Sequence, residues 1–385
     1  MVATMRISDD FELNDDIVYL NHAAVAPWPR RTRDAVCRFA EQNMRTGARF
    51  YGDWLETETR LRQRLQRLVN APNVDDIALL KNTSEGLSVV AHGLEWRPGD
   101  NVVINDQEFP SNRIPWQSLR SRGVEVRDIS LSAQSEPESA LAEAMDGNTR
   151  LLSISSVQYG TGLRMDLRRL GEVCRQNGTL FCVDAIQSLG ALPFDAQDVN
   201  ADFVVADGHK WMLGPEGIAV FYCKAEVRDR VGLHQFGWHM VQHRGDYDRS
   251  DWTPARDAKR FECGSPNMLG IHGLDASLSL LEEIGLERIE RAVLANSRHL
   301  LDSLSNLSGV QCITPSAPGR HAGIVTFRLR DGDNGGLHRE LMSNGVVCAA
   351  RYGGIRLSPH YYVNTHQLDR ALDLVRDYLG RGSRQ

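Results

Sequence analysis

The run Phe203-Val204-Val205-Ala206-Asp207-Gly208-His209-Lys210-Trp211-Met212-Leu213-Gly214-Pro215-Glu216-Gly217 decides how this chain is read. An apolar stretch of strand character leads to a single lysine, and turn-forming residues follow at once. The Lys210 amine is therefore expected at the mouth of a sheet rather than on an open helix face. Taken out of water there, an amine has a lowered pKa and is free to condense with an aldehyde as a Schiff base. A strand-end lysine that simply reaches solvent is the plainer alternative, because most lysines are surface groups. The preceding segment, Leu180-Phe181-Cys182-Val183-Asp184-Ala185-Ile186-Gln187, shifts the balance, since it is another apolar strand closing on a carboxylate. The connection between the two runs is long enough for a parallel crossover. Asp184 and Lys210 are thus expected at the same carboxyl edge of one sheet.

An aldehyde cofactor with a basic ring nitrogen needs that pair. Pyridoxal 5′-phosphate is such a cofactor: a lysine holds its aldehyde, and a carboxylate keeps the pyridine nitrogen protonated so that the ring accepts electrons. Val183-Asp184-Ala185-Ile186-Gln187 followed by Asp207-Gly208-His209-Lys210 resembles the class V aminotransferase family of fold-type I enzymes. That family includes cysteine desulfurases, selenocysteine lyases and isopenicillin-N epimerase, and the resemblance runs over most of the chain. It implies an α/β fold, with a large domain built on a mostly parallel, seven-stranded-type sheet and a small C-terminal α+β domain. The expected division is 14–285 for the large domain, with 1–13 and 286–385 forming an N-terminal arm and the small domain.

With 385 residues, 42% of them hydrophobic and 24% charged, the chain is long enough for two domains and a substantial core. A net charge of -6 leaves no basic footprint of the kind nucleic-acid binding requires. No apolar stretch approaches the roughly 20 residues that span a bilayer, and no signal-peptide pattern is present, so no membrane partner and a cytoplasmic location are expected. The seven cysteines are odd in number and widely spaced, which suits reduced thiols. No CxxC pair or His/Cys cluster points to a metal.

Asn82-Thr83-Ser84-Glu85-Gly86 stands between a short apolar run and a stretch of helical spacing. Hydroxyls and free N–H groups at a helix start make an anion site, although Thr83 or Ser84 acting only as N-cap explains the same pattern. The family likeness favours a phosphate cradle of Thr83, Ser84 and His209. It also implies a homodimer with shared sites, in which Ser265, within Arg260-Phe261-Glu262-Cys263-Gly264-Ser265-Pro266-Asn267, reaches the neighbouring subunit's phosphate. Phe109 falls where relatives stack an aromatic ring, often histidine, on the cofactor; ordinary core packing is its alternative. Gln158 and Gln187 are placed by the likeness near the cofactor's ring hydroxyl. Asp207 is a departure, for relatives often carry a hydroxyl there and an ionised carboxylate would repel phosphate.

An amino-acid substrate brings a carboxylate, which an arginine holds with two charge-assisted bonds. The likeness assigns that role to Arg356, with Arg351 close by, and places His22, Trp238 and Tyr352 at the substrate mouth. Persulfide-forming desulfurases carry a reactive cysteine on a mobile loop just after the position of Arg351. Here only Tyr352-Gly353-Gly354 separates Arg351 from Ile355, and the nearest thiol, Cys348, sits earlier in an apolar run. The expected enzyme is pyridoxal-phosphate-dependent, working through a Lys210 aldimine and Cα deprotonation by the freed lysine, with Asp184 maintaining the electron sink. A C–S β-lyase acting on a sulfur-containing amino acid is the favoured reaction. Aminotransferase or epimerase chemistry, and a non-catalytic binding module on the same fold, are the alternatives; a dinucleotide-binding dehydrogenase is disfavoured because no GxGxxG follows the early strands.

Overall fold

The computed structural model describes residues 10–382 apart from 133 and 135, so residues 1–9 of the expected arm lie outside the described residues. The chain begins with β1 (Val18–Tyr19), α1 (Arg30–Thr46) and α2 (Tyr51–Val69). The break between the two helices falls at Gly47, whose φ of 56° suits glycine alone. There follow β2 (Ile77–Leu80), α3 (Thr83–Gly93), β3 (Asn101–Asn105), α4 (Ile114–Gln117), β4 (Glu125–Ile129), α5 (Pro137–Glu143), β5 (Thr149–Ser155) and α6 (Leu167–Asn177). β6 (Leu180–Asp184), β7 (Phe203–Asp207), β8 (Ala219–Cys223), α7 (Ala225–Arg228), α8 (Met268–Ile284) and α9 (Leu286–Ser305) come next. The chain closes through β9 (Val310–Cys312), β10 (Val325–Leu329), α10 (Asn334–Ser343), β11 (Val346–Val347), β12 (Ala349–Arg351), β13 (Gly354–Leu357) and α11 (Thr365–Gly382).

Seven strands form the central sheet in the order β2-β8-β7-β6-β5-β3-β4. β8 runs against both its neighbours, and the remaining pairs are parallel. β3, β6, β7 and β8 are buried along their whole length, as strands covered by helices on both faces must be. Alternate residues serve two different cores. Val183, Val204, Ala206 and Val220 pack with Leu61 and Leu65 of α2 and with Ile271 and Leu274 of α8. Cys182, Phe203, Val205 and Phe221 pack with Leu87 and Val90 of α3 on the other face. This sandwich leaves the carboxyl edge of β5, β6 and β7 free to carry chemistry.

A four-stranded antiparallel sheet, β12-β13-β10-β9, is built from the last third of the chain. Its core takes in Val325, Phe327, Ile355 and Leu357 with Leu368 and Leu372 of α11. Val18 and Leu20 belong to this core as well, because β1 pairs in parallel with β11. The opening strand thus packs with the C-terminal sheet, whereas the sequence reading groups it with the large domain. Among the described residues, no helix is long and apolar enough to cross a membrane.

Candidate active site

β6 and β7 lie side by side with Asp184 level with Val205, and β5 flanks them with Ser155 level with Asp184. Asp184, Asp207 and the Gln158 turn therefore share one sheet edge, and Lys210 follows three residues beyond the end of β7. α3 starts at the same edge. Its N-cap is Asn82, whose side chain accepts from Glu85 N at 2.8 Å, so neither Thr83 nor Ser84 has the capping role. Thr83 is instead tied twice to Asp207: Thr83 N donates to Asp207 Oδ2 at 3.0 Å, and Asp207 N donates to Thr83 Oγ1 at 3.1 Å. Ser84 Oγ donates to Ser111 Oγ at 2.8 Å.

Burial lifts the Asp184 carboxyl well above the usual carboxylate range, with the Ile186 N–H and Lys210 opposing the shift and Glu108 adding to it. Burial likewise lowers the Lys210 amine, as do the Arg356 and Arg351 cations, while Asp184 and Asp207 raise it. Desolvation and Lys210 bring His209 down to about 4, so its imidazole is neutral at physiological pH. His209 Nδ1 stands 3.8 Å from Asp207 Oδ1. Phe109 is 41% exposed, which removes it from the core, and its ring centroid lies 5.6 Å from Lys210 Nζ. Its ring meets Tyr159 edge to face with centroids 5.0 Å apart.

Arg356 is buried at the C-terminal side of this cluster. Nη1 donates to the Tyr159 carbonyl at 2.9 Å and Nη2 to Asn21 Oδ1 at 3.4 Å. Burial and the neighbouring Arg351 bring the guanidinium down to about 10. A buried cation held by neutral oxygens is poised to take a carboxylate. Among the described residues, Gln158 Oε1, Asp207 Oδ1, His209 Nδ1 and Arg356 Nε are buried without a hydrogen-bond partner. Unmet buried polar atoms are costly unless a ligand answers them. A desolvated amine, a buried acid, an open aromatic face and these unmet atoms form a set that fits pyridoxal phosphate.

Two of the expected ligand residues are also bonded within the protein. Gln187 spends its amide within the protein, donating Nε2 to the Ala23 carbonyl at 3.0 Å and accepting from Trp211 Nε1 at 2.9 Å. His22 is fully buried, with Nδ1 2.9 Å from the Ser358 carbonyl and Nε2 2.7 Å from the Tyr362 hydroxyl. Both tie distant segments together inside the fold. Ser265 is exposed just ahead of α8, and Arg351 is exposed with Nη1 bonded to the Ala350 carbonyl. Trp238 lies with Phe236, Tyr247 and Trp252 around a cavity of about 440 Å³.

Glu108 escaped the sequence reading. It is buried and accepts from Asn105 Nδ2, Asn112 Nδ2, Ser155 N and Oγ, and Gln158 Nε2. This hub fixes Phe109 and Gln158 at the sheet edge, and burial raises its pKa. The signal was an acid spaced three and four residues from Asn105 and Asn112. The thiol nearest the hairpin, Cys348, is buried, which pushes it up to about 12.

Residues 18–370 match the aminotransferase class-V family. A probable cysteine desulfurase of Methanothermobacter thermautotrophicus is 29% identical, over 98% of this chain and 99% of the relative. Among solved structures, the apo cysteine desulfurase of Thermococcus onnurineus NA1 superposes with a TM-score of 0.87 at 25% identity, covering 99% of this chain and 100% of that one. The cystine C–S lyase C-DES, solved with its reaction product cysteine persulfide, gives a TM-score of 0.86 at 25% identity over 93% of this chain and 97% of that one.

Proposed function

The chain belongs to the aminotransferase class-V family and is a pyridoxal-phosphate-dependent enzyme, and from that premise we propose that it is a C–S β-lyase acting on a cysteine derivative. One observation carries the choice of reaction. The β12–β13 hairpin pairs Arg351 with Gly354, leaving only Tyr352 and Gly353 in the turn. No cysteine sits on it, and the buried Cys348 thiol is in no state to accept sulfur. Sulfur then leaves as a small molecule. The overall reaction takes RS–CH2–CH(NH3⁺)–COO⁻ and one water to RSH, pyruvate and ammonium. The Cα proton and the Cβ–S electron pair are lost in the elimination, the pair departing on sulfur, which takes up a proton as RSH.

Bound at Lys210, pyridoxal phosphate supplies the electron sink that acidifies the Cα–H bond. Once the substrate amine has taken its place and freed it, Lys210 Nζ, its pKa lowered by burial, would take the Cα proton. Asp184 would hold the proton on the ring nitrogen, and Phe109 would cover one ring face. Gln158 would address the ring hydroxyl, Thr83, Ser84 and His209 would take the phosphate, and Ser265 would reach that of the neighbouring subunit. Arg356 receives the substrate carboxylate, with Arg351 adding positive charge at the mouth. We further propose a homodimer, a reading supported by the exposed aromatics Phe236, Trp238, Tyr247 and Trp252.

The test is proton NMR of the holoenzyme in heavy water with L-cysteine and S-substituted cysteines, following pyruvate, alanine and Cα deuterium. Pyruvate is the expected product. Alanine would overturn the proposal in favour of desulfurase chemistry, and deuterium exchange without breakdown would turn it toward epimerisation or transamination.

A further inference from the structure

The two-residue turn of the β12–β13 hairpin runs through Tyr352 and Gly353 with φ values of 54° and 71°. A hairpin turn of this hand needs positive φ at both central positions and favours Asn, Asp or Gly. Tyrosine is a strained choice there, and strain of this kind gathers at functional sites. The ring is not simply hanging in solvent. It lies over Gly160, where an added Cβ would come within 2.3 Å of Tyr352 Cδ2 and 2.6 Å of Cε2. The strip beneath it is anchored on both sides, since Thr326 Oγ1 donates to the Gly160 carbonyl at 2.7 Å and Arg356 Nη1 to the Tyr159 carbonyl at 2.9 Å. Tyr159 in turn touches Phe109, which faces Lys210. A run of contacts thus leads from the amine through Phe109 and Tyr159 to Gly160 beneath the Tyr352 ring, and Phe109 and Tyr352 are each 41% exposed. Burial of the hydroxyl, with Asp106 and Tyr159 nearby, pushes Tyr352 up to about 12, so the ring is a neutral phenol.

We propose that Tyr352 is a specificity-determining residue, a fixed aromatic wall against which the group on the substrate's sulfur packs, so that cysteines carrying an apolar or aromatic S-substituent are taken in preference to free cysteine. A ring held by a tight turn and a facing glycine is already in its bound position, so little is lost in ordering it. The inference rests on the C–S lyase reading for its substrate class.

Tyr352→Gly separates this role from a structural one, because glycine relieves the positive φ and should leave the melting temperature unchanged or higher. The holoenzyme is titrated with S-benzyl-L-cysteine and with L-cysteine, following the cofactor absorbance. The expected result is a loss of about tenfold or more in affinity for the S-benzyl compound, with L-cysteine changed by less than about twofold. Gly160→Ala, whose Cβ must displace the ring, should reproduce that selectivity change in the natural background and add nothing to Tyr352→Gly. Equal losses for both ligands, or no loss for either, would overturn the proposal. Pyruvate formation by the unmodified enzyme is read separately: its absence would sink the lyase reading, while the affinity ratio still decides the role of Tyr352.

Discussion

At Asp184 stability and activity pull in opposite directions. The carboxyl has a raised pKa in the fold, so the folded protein binds more protons than the unfolded chain between about pH 4 and the raised value. Stability of the apo-protein therefore falls as pH rises through that window. Asp184→Asn removes the cost of the buried charge, and the apo-variant should exceed the natural protein by about 1–2 kcal/mol above neutrality while losing about 100-fold or more in turnover. Urea midpoints at pH 5 and pH 8 check this; a fall with pH that is equal in both proteins would refute it. Asp207 is a second acid with a testable role. Its Oδ2 occupies the Thr83 N–H at the start of α3, where an anion would otherwise bind. Asp207→Ser should tighten pyridoxal phosphate binding by about tenfold, measured by equilibrium dialysis. The positions of Asp184 and Lys210 at one sheet edge were legible in the chain because one ends an apolar strand and the other follows three residues beyond the next. Arg356 was legible only through a family likeness, since nothing in its neighbours marks it as buried. The internal partners of Gln187 and His22, Ala23 and Trp211 for one and Ser358 and Tyr362 for the other, come from distant segments that no local pattern announces.

Among the elements, α2 is fastened to the sheet by charge as well as by its apolar face. Arg62 is buried and donates to Glu58 Oε1 at 2.7 Å, to both Glu262 oxygens at 2.6 and 2.7 Å, and to the Ile77 carbonyl at 3.0 Å. Glu262 Oε1 also accepts from Leu79 N in β2. Glu58, His239 and Glu262 are close enough to suggest a metal site, but the Arg62 guanidinium is already paired with both carboxylates. Glu262→Ala leaves that guanidinium half-paired, with an expected loss of about 3–5 kcal/mol read from the urea midpoint. An unchanged midpoint would show that the network is not a fastening. The sequence pattern located β6 and β7, because an apolar run between turn residues is a strong local signal, but it gave no sign of β4, whose Glu125, Arg127 and Asp128 break up any apolar run. It did not place this ion cluster, in which Glu58 and Arg62 of α2 meet Glu262 and His239 from far along the chain.

For the whole molecule, the expected homodimer has a direct measurement. Phe236, Trp238, Tyr247 and Trp252 are 62%, 40%, 76% and 55% exposed, more aromatic surface than a monomer usually leaves to water. Sedimentation equilibrium should give twice the chain mass, and Trp252→Asp should shift the population toward monomer; a natural protein that sediments as monomer would end the dimer proposal. The mostly parallel sheet was expected from the family likeness, but the placing of β1 was not legible, because a two-residue strand declares no partner. That placing has a consequence for how the protein comes into being. Val18 pairs with Val346, and Asn21 bridges to Ser358, next to Arg356. During synthesis the chain emerges from its N-terminus, and early segments fold first. The edge bearing Asp184 and Lys210 can form while the C-terminal hairpin has yet to be translated. The first strand waits for nearly the last one, so a nascent chain acquires its cofactor lysine well before the arginine that meets the substrate.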